Sequence, residues 1–274
     1  MENDLPRATW RVLDTGMLDG ATNMAVDEAI LTAVVEGQSS PTIRFYGWAP
    51  PCASLGYAQP IASTIDLDAC RERGYTWVRR PTGGRAVLHI DELTYSVAAL
   101  QGEPRVAGDI VTSYRRLSRG LLAGLEQLGC PVIAADKQSD SAVKSAACFD
   151  VPSHYEITVR GRKLVGSAQV RKRGGVLQHG ALPLEGDVTR LVDVLVMPLL
   201  KRESLRIKLA GRAIALDEAL GKRVPREQVV SALRDGFAQA LNLELVPGHL
   251  TAYEQEVAQR LSDRYRGQEW TFAR

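Results

Sequence analysis

Between residues 155 and 184 apolar and polar positions alternate in three successive runs, separated by turn-forming residues. Residues 155–159 make the first run and Arg160-Gly161 a tight turn; residues 163–170 make the second, Arg173-Gly174-Gly175 another turn, and residues 176–184 the third. A period of two broken by glycine-bearing turns predicts a three-stranded meander. Shorter strand-like runs occur at 10–13, 42–48, 53–57, 77–80, 86–89, 93–100 and 132–135. A period of 3.6 predicts helices at 23–36, stopped by Gly37, and at 66–73, closed by Gly74. The clearest helix covers 109–128, where Val111, Tyr114, Leu117, Leu121, Leu125 and Leu128 share one face and Gly129 ends it. Beyond the meander the texture turns helical. Segments at 188–195 and 215–220 are followed by a helix from Pro225 to residue 241, with Pro225 suited to a first turn. Thr251-Ala252-Tyr253-Glu254 is a capping-box pattern that opens a last helix to residue 265. Strands gathered in the centre and flanked by helices predict an α+β fold in one domain, 1–274, with a strand-rich core to about residue 185 and a helical part at 186–274.

Composition narrows the class. Apolar residues at 45% and charged residues at 24% exclude disordered and fibrous chains. A formal net charge of +2 gives no argument for nucleic acid. The start, MENDLPRATW, is acidic and has no apolar core, so a signal peptide is not expected. The apolar run at 191–200 is broken by Asp193 and Pro198 and is too short for a membrane span. Four cysteines, Cys52, Cys70, Cys130 and Cys148, occur with no close pair, unlike a zinc site or a disulfide framework. The expectation is a cytoplasmic protein with reduced thiols and no membrane partner.

Two stretches carry candidate chemistry. Cys148 sits just ahead of the meander and Lys163 just past its first turn, so the hairpin can return the ammonium towards the thiol. A free thiol with a pKa of about 8.5 is mostly protonated at neutral pH, and a neighbouring cation favours the nucleophilic thiolate. Gly166-Ser167-Ala168 offers small side chains for close approach of a substrate. In the second stretch, WVRRPTGGRAVLH, the turn Pro81-Thr82-Gly83-Gly84 can expose backbone N–H groups, and Arg80 and Arg85 can hold an anionic or carbonyl-bearing group. Each feature also has a plain reading: a packed cysteine, a solvated lysine, a hairpin turn with solvated arginines. Cys52, Cys70 and Cys130 read as packing residues.

Taken in order, RRPTGGRAVLH, GRKLVGSAQ and LQHGAL resemble the superfamily of lipoate-protein ligases, octanoyltransferases and biotin ligases, from the helix after Gly20 to the terminal EWTF. The lipoate ligases carry a third glycine where this chain has Arg85, and His-Asp where it has His89-Ile90. They carry Arg-Asn-Asp ahead of the lysine hairpin, where this chain has Ala147-Cys148-Phe149-Asp150. The chain also stops where a ligase's large domain ends, with no room for an accessory domain. These departures put ATP use in doubt and match the LipM type of octanoyltransferase, in which the cysteine precedes the lysine. The LipB type has it after, and no cysteine follows Lys163.

The resemblance implies a biotin/lipoate-protein-ligase-like catalytic domain with a mixed, largely antiparallel central sheet. It implies Cys148 and Lys163 as catalytic residues. Substrate binding falls to Arg80, Gly83, Gly84, Arg85, His89, Gly166, Ser167, Ala168, Gln178, His179 and Gly180, with no metal and no cofactor. The donor implied is octanoyl-acyl carrier protein, and the acceptor a lysine of a lipoyl-domain protein such as the glycine-cleavage H protein. An apolar tunnel is expected at Val87, Leu88 and Val165. A docking surface for acidic carriers is expected among Arg79, Arg115, Arg116, Arg119, Arg171, Lys172 and Arg173. His89 and His179 stand as either general bases or structural histidines. Three other readings remain open: an ATP-dependent lipoate ligase with an altered loop, an amidotransferase between lipoyl domains, and a non-catalytic carrier-binding module.

Overall fold

The structure, a computed structural model, describes residues 5–135 and 156–273. Its elements in chain order are β1 (Ala8–Leu18), α1 (Gly20–Val35), β2 (Thr42–Trp48), β3 (Cys52–Leu55), α2 (Leu67–Glu72), β4 (Thr76–Arg79), β5 (Val87–His89), β6 (Glu92–Leu100), α3 (Ile110–Gln127) and β7 (Ile133–Ala135). They continue with β8 (Glu156–Val159), β9 (Arg162–Lys172), β10 (Gly175–Pro183), α4 (Leu199–Ala210), α5 (Leu216–Leu220), α6 (Arg226–Ala240), β11 (Leu243–Pro247), α7 (Ala252–Arg266) and α8 (Gln268–Thr271).

Eight strands form the main sheet in the order β11-β1-β2-β6-β10-β9-β8-β7. The β11-β1 and β1-β2 pairs are parallel and the rest antiparallel, so the sheet is mixed and largely antiparallel as expected. A second sheet, β4-β3-β5, stands apart from it. One face of the main sheet, carrying Ile43, Phe45, Tyr95 and Val97, packs on Leu117, Leu121 and Leu125 of α3 and on Val229, Leu233 and Phe237 of α6. The other face meets α1, with Ala98 and Leu177 against Val26, Ile30 and Val34 and α7 closing the layer through Val257 and Ala258. Burying each of these aliphatic side chains contributes about 1.5–3 kcal/mol. The helix ends follow their predicted chemistry: Asp19 accepts from the Thr22 amide at 3.0 Å, and the Thr251–Glu254 capping box is formed.

Three segments depart from the periodic reading. Residues 188–195 form a 3-10 turn over Arg190–Val194 rather than an α-helix. Helix α4 has no apolar face to announce it, because Leu199, Leu200 and Ile207 point outward and Leu209 is its buried residue. Strand β11 lies inside the segment read as helical and adds a parallel edge to β1. Its pattern of one buried and four partly or fully exposed residues is too short for an alternation signal. Among the described residues no helix is long and apolar enough to cross a membrane.

Candidate active site

Register across the sheet assembles the site. Tyr46 pairs with Thr94, Thr94 with Ala181, and Ala181 with Gly166, which makes one rung across β2, β6, β10 and β9. The next rung runs Arg44, Ser96, His179, Ala168. Residues directly opposite one another point to the same face, and this is the face that α1 and the small sheet cover. Between the layers lies a narrow pocket. Its walls are Met24 of α1, Tyr46 and Trp48 of β2, Ser54, Arg80, Val87 and His89 of the small sheet and its loop, Thr94 of β6, and the runs 166–168 and 179–181.

Two buried polar networks border the pocket. In the first, Asp27 of α1 accepts from Arg44 Nη1 at 2.7 Å, Ser96 Oγ at 2.8 Å and Tyr46 OH at 2.8 Å. Burial works against the Asp27 carboxylate, but the Arg44 guanidinium and the His179 contact outweigh it and hold Asp27 below the usual carboxylate range. His179 Nδ1 lies 3.4 Å from Asp27 Oδ2, and its Nε2 meets Thr82 Oγ1 at 2.7 Å. An ionised carboxylate can only accept, so Nδ1 carries the hydrogen and Nε2 accepts from the threonine hydroxyl. Burial pushes His179 down from its ordinary value, against the opposing pull of Asp27. The imidazole is therefore a neutral latch between α1 and the turn at residues 81–84.

In the second network His89 Nδ1 meets Glu92 Oε1 at 2.7 Å and Nε2 meets Ser54 Oγ at 2.7 Å. Trp48 stacks on the His89 ring with centroids 3.9 Å apart. Arg80 reaches Ser54 O at 3.0 Å and Ser54 Oγ at 3.1 Å with one nitrogen, and Gly83 O at 2.9 Å and Arg85 O at 2.7 Å with the other. Arg80 thus fixes the backbone of the glycine turn against the pocket wall.

Lys163 reaches the same face through an irregularity. Ile157 pairs with Val165 and Thr158 with Lys163, so β9 carries one extra residue, Leu164, at this point. Without the bulge Lys163 and Val165 would share a face; with it they oppose each other. Val165 sits in the main core, which leaves Lys163 on the side of Gly166 and Ala168. Its ammonium pairs with Glu156 Oε1 at 3.2 Å, both side chains buried. Cys148 lies outside the described residues. Cys52, Cys70 and Cys130 are buried free thiols, pushed by that burial to about 12, 11 and 11, so none is a ready nucleophile.

The family model of the lipoyl protein ligase A/B catalytic domain matches residues 19–238. An octanoyltransferase LipM from Kyrpidia tusciae is 47% identical over 96% of this chain and 98% of its own length. One from Moorella thermoacetica is 48% identical over 97% and 98%. The chain belongs to the LipM octanoyltransferase family. Among solved structures, a bi-partite lipoate protein ligase from Thermoplasma acidophilum superposes with a TM-score of 0.81 at 25% identity, covering 97% of both chains.

Of the residues that the LipM resemblance singled out, Arg80, His89, Gly166, Ser167, Ala168, His179 and Gly180 line the one pocket. Gly83, Gly84 and Arg85 form the adjoining turn that Arg80 holds. Gln178 does not reach the pocket: its amide donates to Tyr95 OH at 2.9 Å on the α3 side of the sheet. The Ser167 hydroxyl turns the same way and meets Tyr95 OH at 2.8 Å across Gly180. Of the three tunnel residues, Val87 lines the pocket and Leu88 a neighbouring groove, whereas Val165 belongs to the main core.

Arg79 is no docking residue, because it is buried and its guanidinium binds the carbonyls of Gly56, Tyr57, Gln59, Trp270 and Thr271. Arg116 and Arg171 clamp carbonyls of the 104–109 loop, and Lys172 pairs with Glu28 at 3.0 Å. Sequence reading missed Met24, Asp27, Tyr46, Trp48, Ser54 and Thr94 as site residues, and had Thr82 only as a member of the glycine turn. Asp27 left one signal, an acidic residue inside the apolar face of a helix.

Proposed function

We propose that this chain moves an octanoyl group from octanoyl-acyl carrier protein to a lysine of a lipoyl-domain protein, the glycine-cleavage H protein in particular, through a thioester on Cys148 and without ATP. The observation that supports it best is the bulge that turns Lys163 onto the pocket face, in a chain whose cysteine precedes that lysine as in the LipM pattern.

The Cys148 thiolate attacks the donor thioester carbonyl. The C–S bond to the carrier breaks, the carrier thiol leaves with a proton, and the octanoyl group is held as a new thioester. One thioester replaces another, so the step is close to thermoneutral. The acceptor amine then attacks the same carbonyl, the Cys148 sulfur leaves, and an amide forms, which is downhill. Splitting the transfer lets two large carriers use one docking position in turn. Lys163 stabilises the thiolate and orients the acyl carbonyl. An octanoyl tail buries about six methylenes, worth about 5 kcal/mol at roughly 0.8 each. The apolar walls Met24, Trp48, Val87 and Ala181 suit such a tail. His89 and His179 are fully engaged in buried bonds and act as positioning residues for the glycine turn and the pocket wall.

The test mixes the purified protein with octanoyl-acyl carrier protein and H protein in the absence of ATP. The H protein is expected to gain one octanoyl group on its lipoyl lysine. Transfer that requires ATP and free octanoate, with release of pyrophosphate, would instead make the chain a ligase.

A further inference from the structure

Two adjacent arginines at the end of β4 hold the glycine turn from opposite sides. Neighbouring residues of an extended strand point to opposite faces. Arg80 faces the pocket wall and grips Gly83 O and Arg85 O, while Arg79 turns the other way and is 1% exposed. Arg79 Nη1 donates to the carbonyls of Gly56 at 3.0 Å, Tyr57 at 3.0 Å and Gln59 at 2.6 Å. Its Nε reaches Trp270 O and Thr271 O, each at 3.2 Å, and its Nη2 reaches Thr271 O at 2.7 Å. One buried side chain thus fastens the 56–59 loop to helix α8, 191 residues further along the chain.

The loop in turn carries the glycine turn. Tyr57 N donates to Thr82 O at 2.8 Å, and Arg80 N to Leu55 O at 3.0 Å. Beside these bonds the two backbones touch: a Cβ at Gly56 would collide with the Gly84 carbonyl, so only glycine allows the approach. Helix α8 is locked to the same unit. Trp270 Nε1 donates back to Arg79 O at 2.9 Å. The Trp270 ring packs on Tyr57 with centroids 5.8 Å apart, and stands edge-on to Tyr265 at 5.5 Å. Neither Arg79 nor Trp270 lines the pocket; they reach it through the loop and the turn. A buried guanidinium costs more to desolvate than an apolar side chain of its size. What it adds is geometry, a planar fork that sets two backbone segments at a fixed separation.

We infer that Arg79 and Trp270 are positioning residues for acyl transfer, through which helix α8 sets where the glycine turn meets the acyl group. The inference rests on the octanoyl-transfer reading of the site.

The test measures kcat/KM for octanoyl-pantetheine with the H protein as acceptor, and amide hydrogen exchange at Tyr57, whose N–H reports the contact with Thr82 O directly. Trp270→Ala, Arg79→Lys and Gly56→Ala are compared with wild type at a temperature where circular dichroism shows each variant folded. Each should lower kcat/KM about tenfold or more, since misplacing reacting groups by about 1 Å costs on the order of a hundredfold. Each should also speed Tyr57 exchange about tenfold while exchange in α3 stays as in wild type. Trp270→Ala and Gly56→Ala act through one contact, so the double variant should lose little more than either alone. Losses that multiply would make Trp270 a packing residue and overturn the inference. So would wild-type kcat/KM in a folded Trp270→Ala, whether or not Tyr57 exchange is faster. If Arg79→Lys does not fold, Trp270→Ala, which alters a half-buried side chain, carries the test. If wild type moves no octanoyl group from octanoyl-pantetheine, the reaction assigned to the site fails, and Tyr57 exchange still decides whether α8 holds the turn.

Discussion

Lys163 and Val165, two residues apart on one strand, point to opposite faces of the sheet because Leu164 is bulged between them. Val165 enters the core and Lys163 is turned to the pocket side, where it pairs with buried Glu156. The pair governs how a substitution at Lys163 must be read. Lys163→Ala removes the ammonium that pairs with buried Glu156 and should cost about 3 kcal/mol in urea denaturation. Adding Glu156→Gln should recover most of it. In that stabilised background the pH profile of iodoacetamide alkylation at Cys148 should move upward relative to wild type, since the cation that favours the thiolate is gone. A double variant no more stable than the single one would show that the ion pair is not the source of the loss.

Gly180 and Gly83 should separate packing from chemistry. A Cβ at Gly180 would come within 2.3 Å of Ser167 Oγ, 2.6 Å of Tyr95 Cε1 and 2.9 Å of Gly166 O. Gly180→Ala is expected to lower stability by about 1–3 kcal/mol. A Cβ at Gly83 meets nothing within 4 Å, so Gly83→Ala should keep the melting temperature and lower acyl transfer. Unchanged transfer by a fully stable Gly83→Ala would remove that glycine from the acyl-binding turn.

The His179 latch predicts an acid-side loss of stability. Its folded pKa lies below its ordinary 6.5, so below pH 6.5 the unfolded chain takes up a proton that the folded chain does not. The stability contribution is complete above 6.5 and declines as the pH falls towards the lower folded value. Denaturation midpoints of wild type and His179→Gln, measured from pH 7.5 to 5, should show a steeper decline in wild type. Parallel curves would mean that His179 does not titrate in this way.

Much of this site was legible in the sequence, and the parts that were not share a cause. The meander at β8, β9 and β10 announced itself by period two and by turns at residues with positive φ, Arg160, Gly161, Arg173 and Gly174. The motif residues Arg80, His89 and His179 were visible as residues, but not their function as clamps and latches, because their partners Ser54, Asp27 and Thr82 come from distant strands, helix and loop. The reach of Lys163 depended on a one-residue bulge that no pattern of hydrophobicity reveals. Arg79 looked like surface charge because a guanidinium that satisfies five backbone carbonyls leaves no trace in sequence. Helix α4 escaped notice because three of its apolar residues, Leu199, Leu200 and Ile207, face solvent and do not build a core-facing stripe.

The most direct test of the thioester mechanism is the intact mass of the protein after mixing with octanoyl-acyl carrier protein and no ATP. The expected result is one added octanoyl group, removed by hydroxylamine, absent from Cys148→Ala, and retained in Cys52→Ala, Cys70→Ala and Cys130→Ala, whose thiols burial holds near 11 to 12. An adduct that persists in Cys148→Ala, or acyl transfer to the H protein with no adduct in wild type under single-turnover conditions, would contradict it.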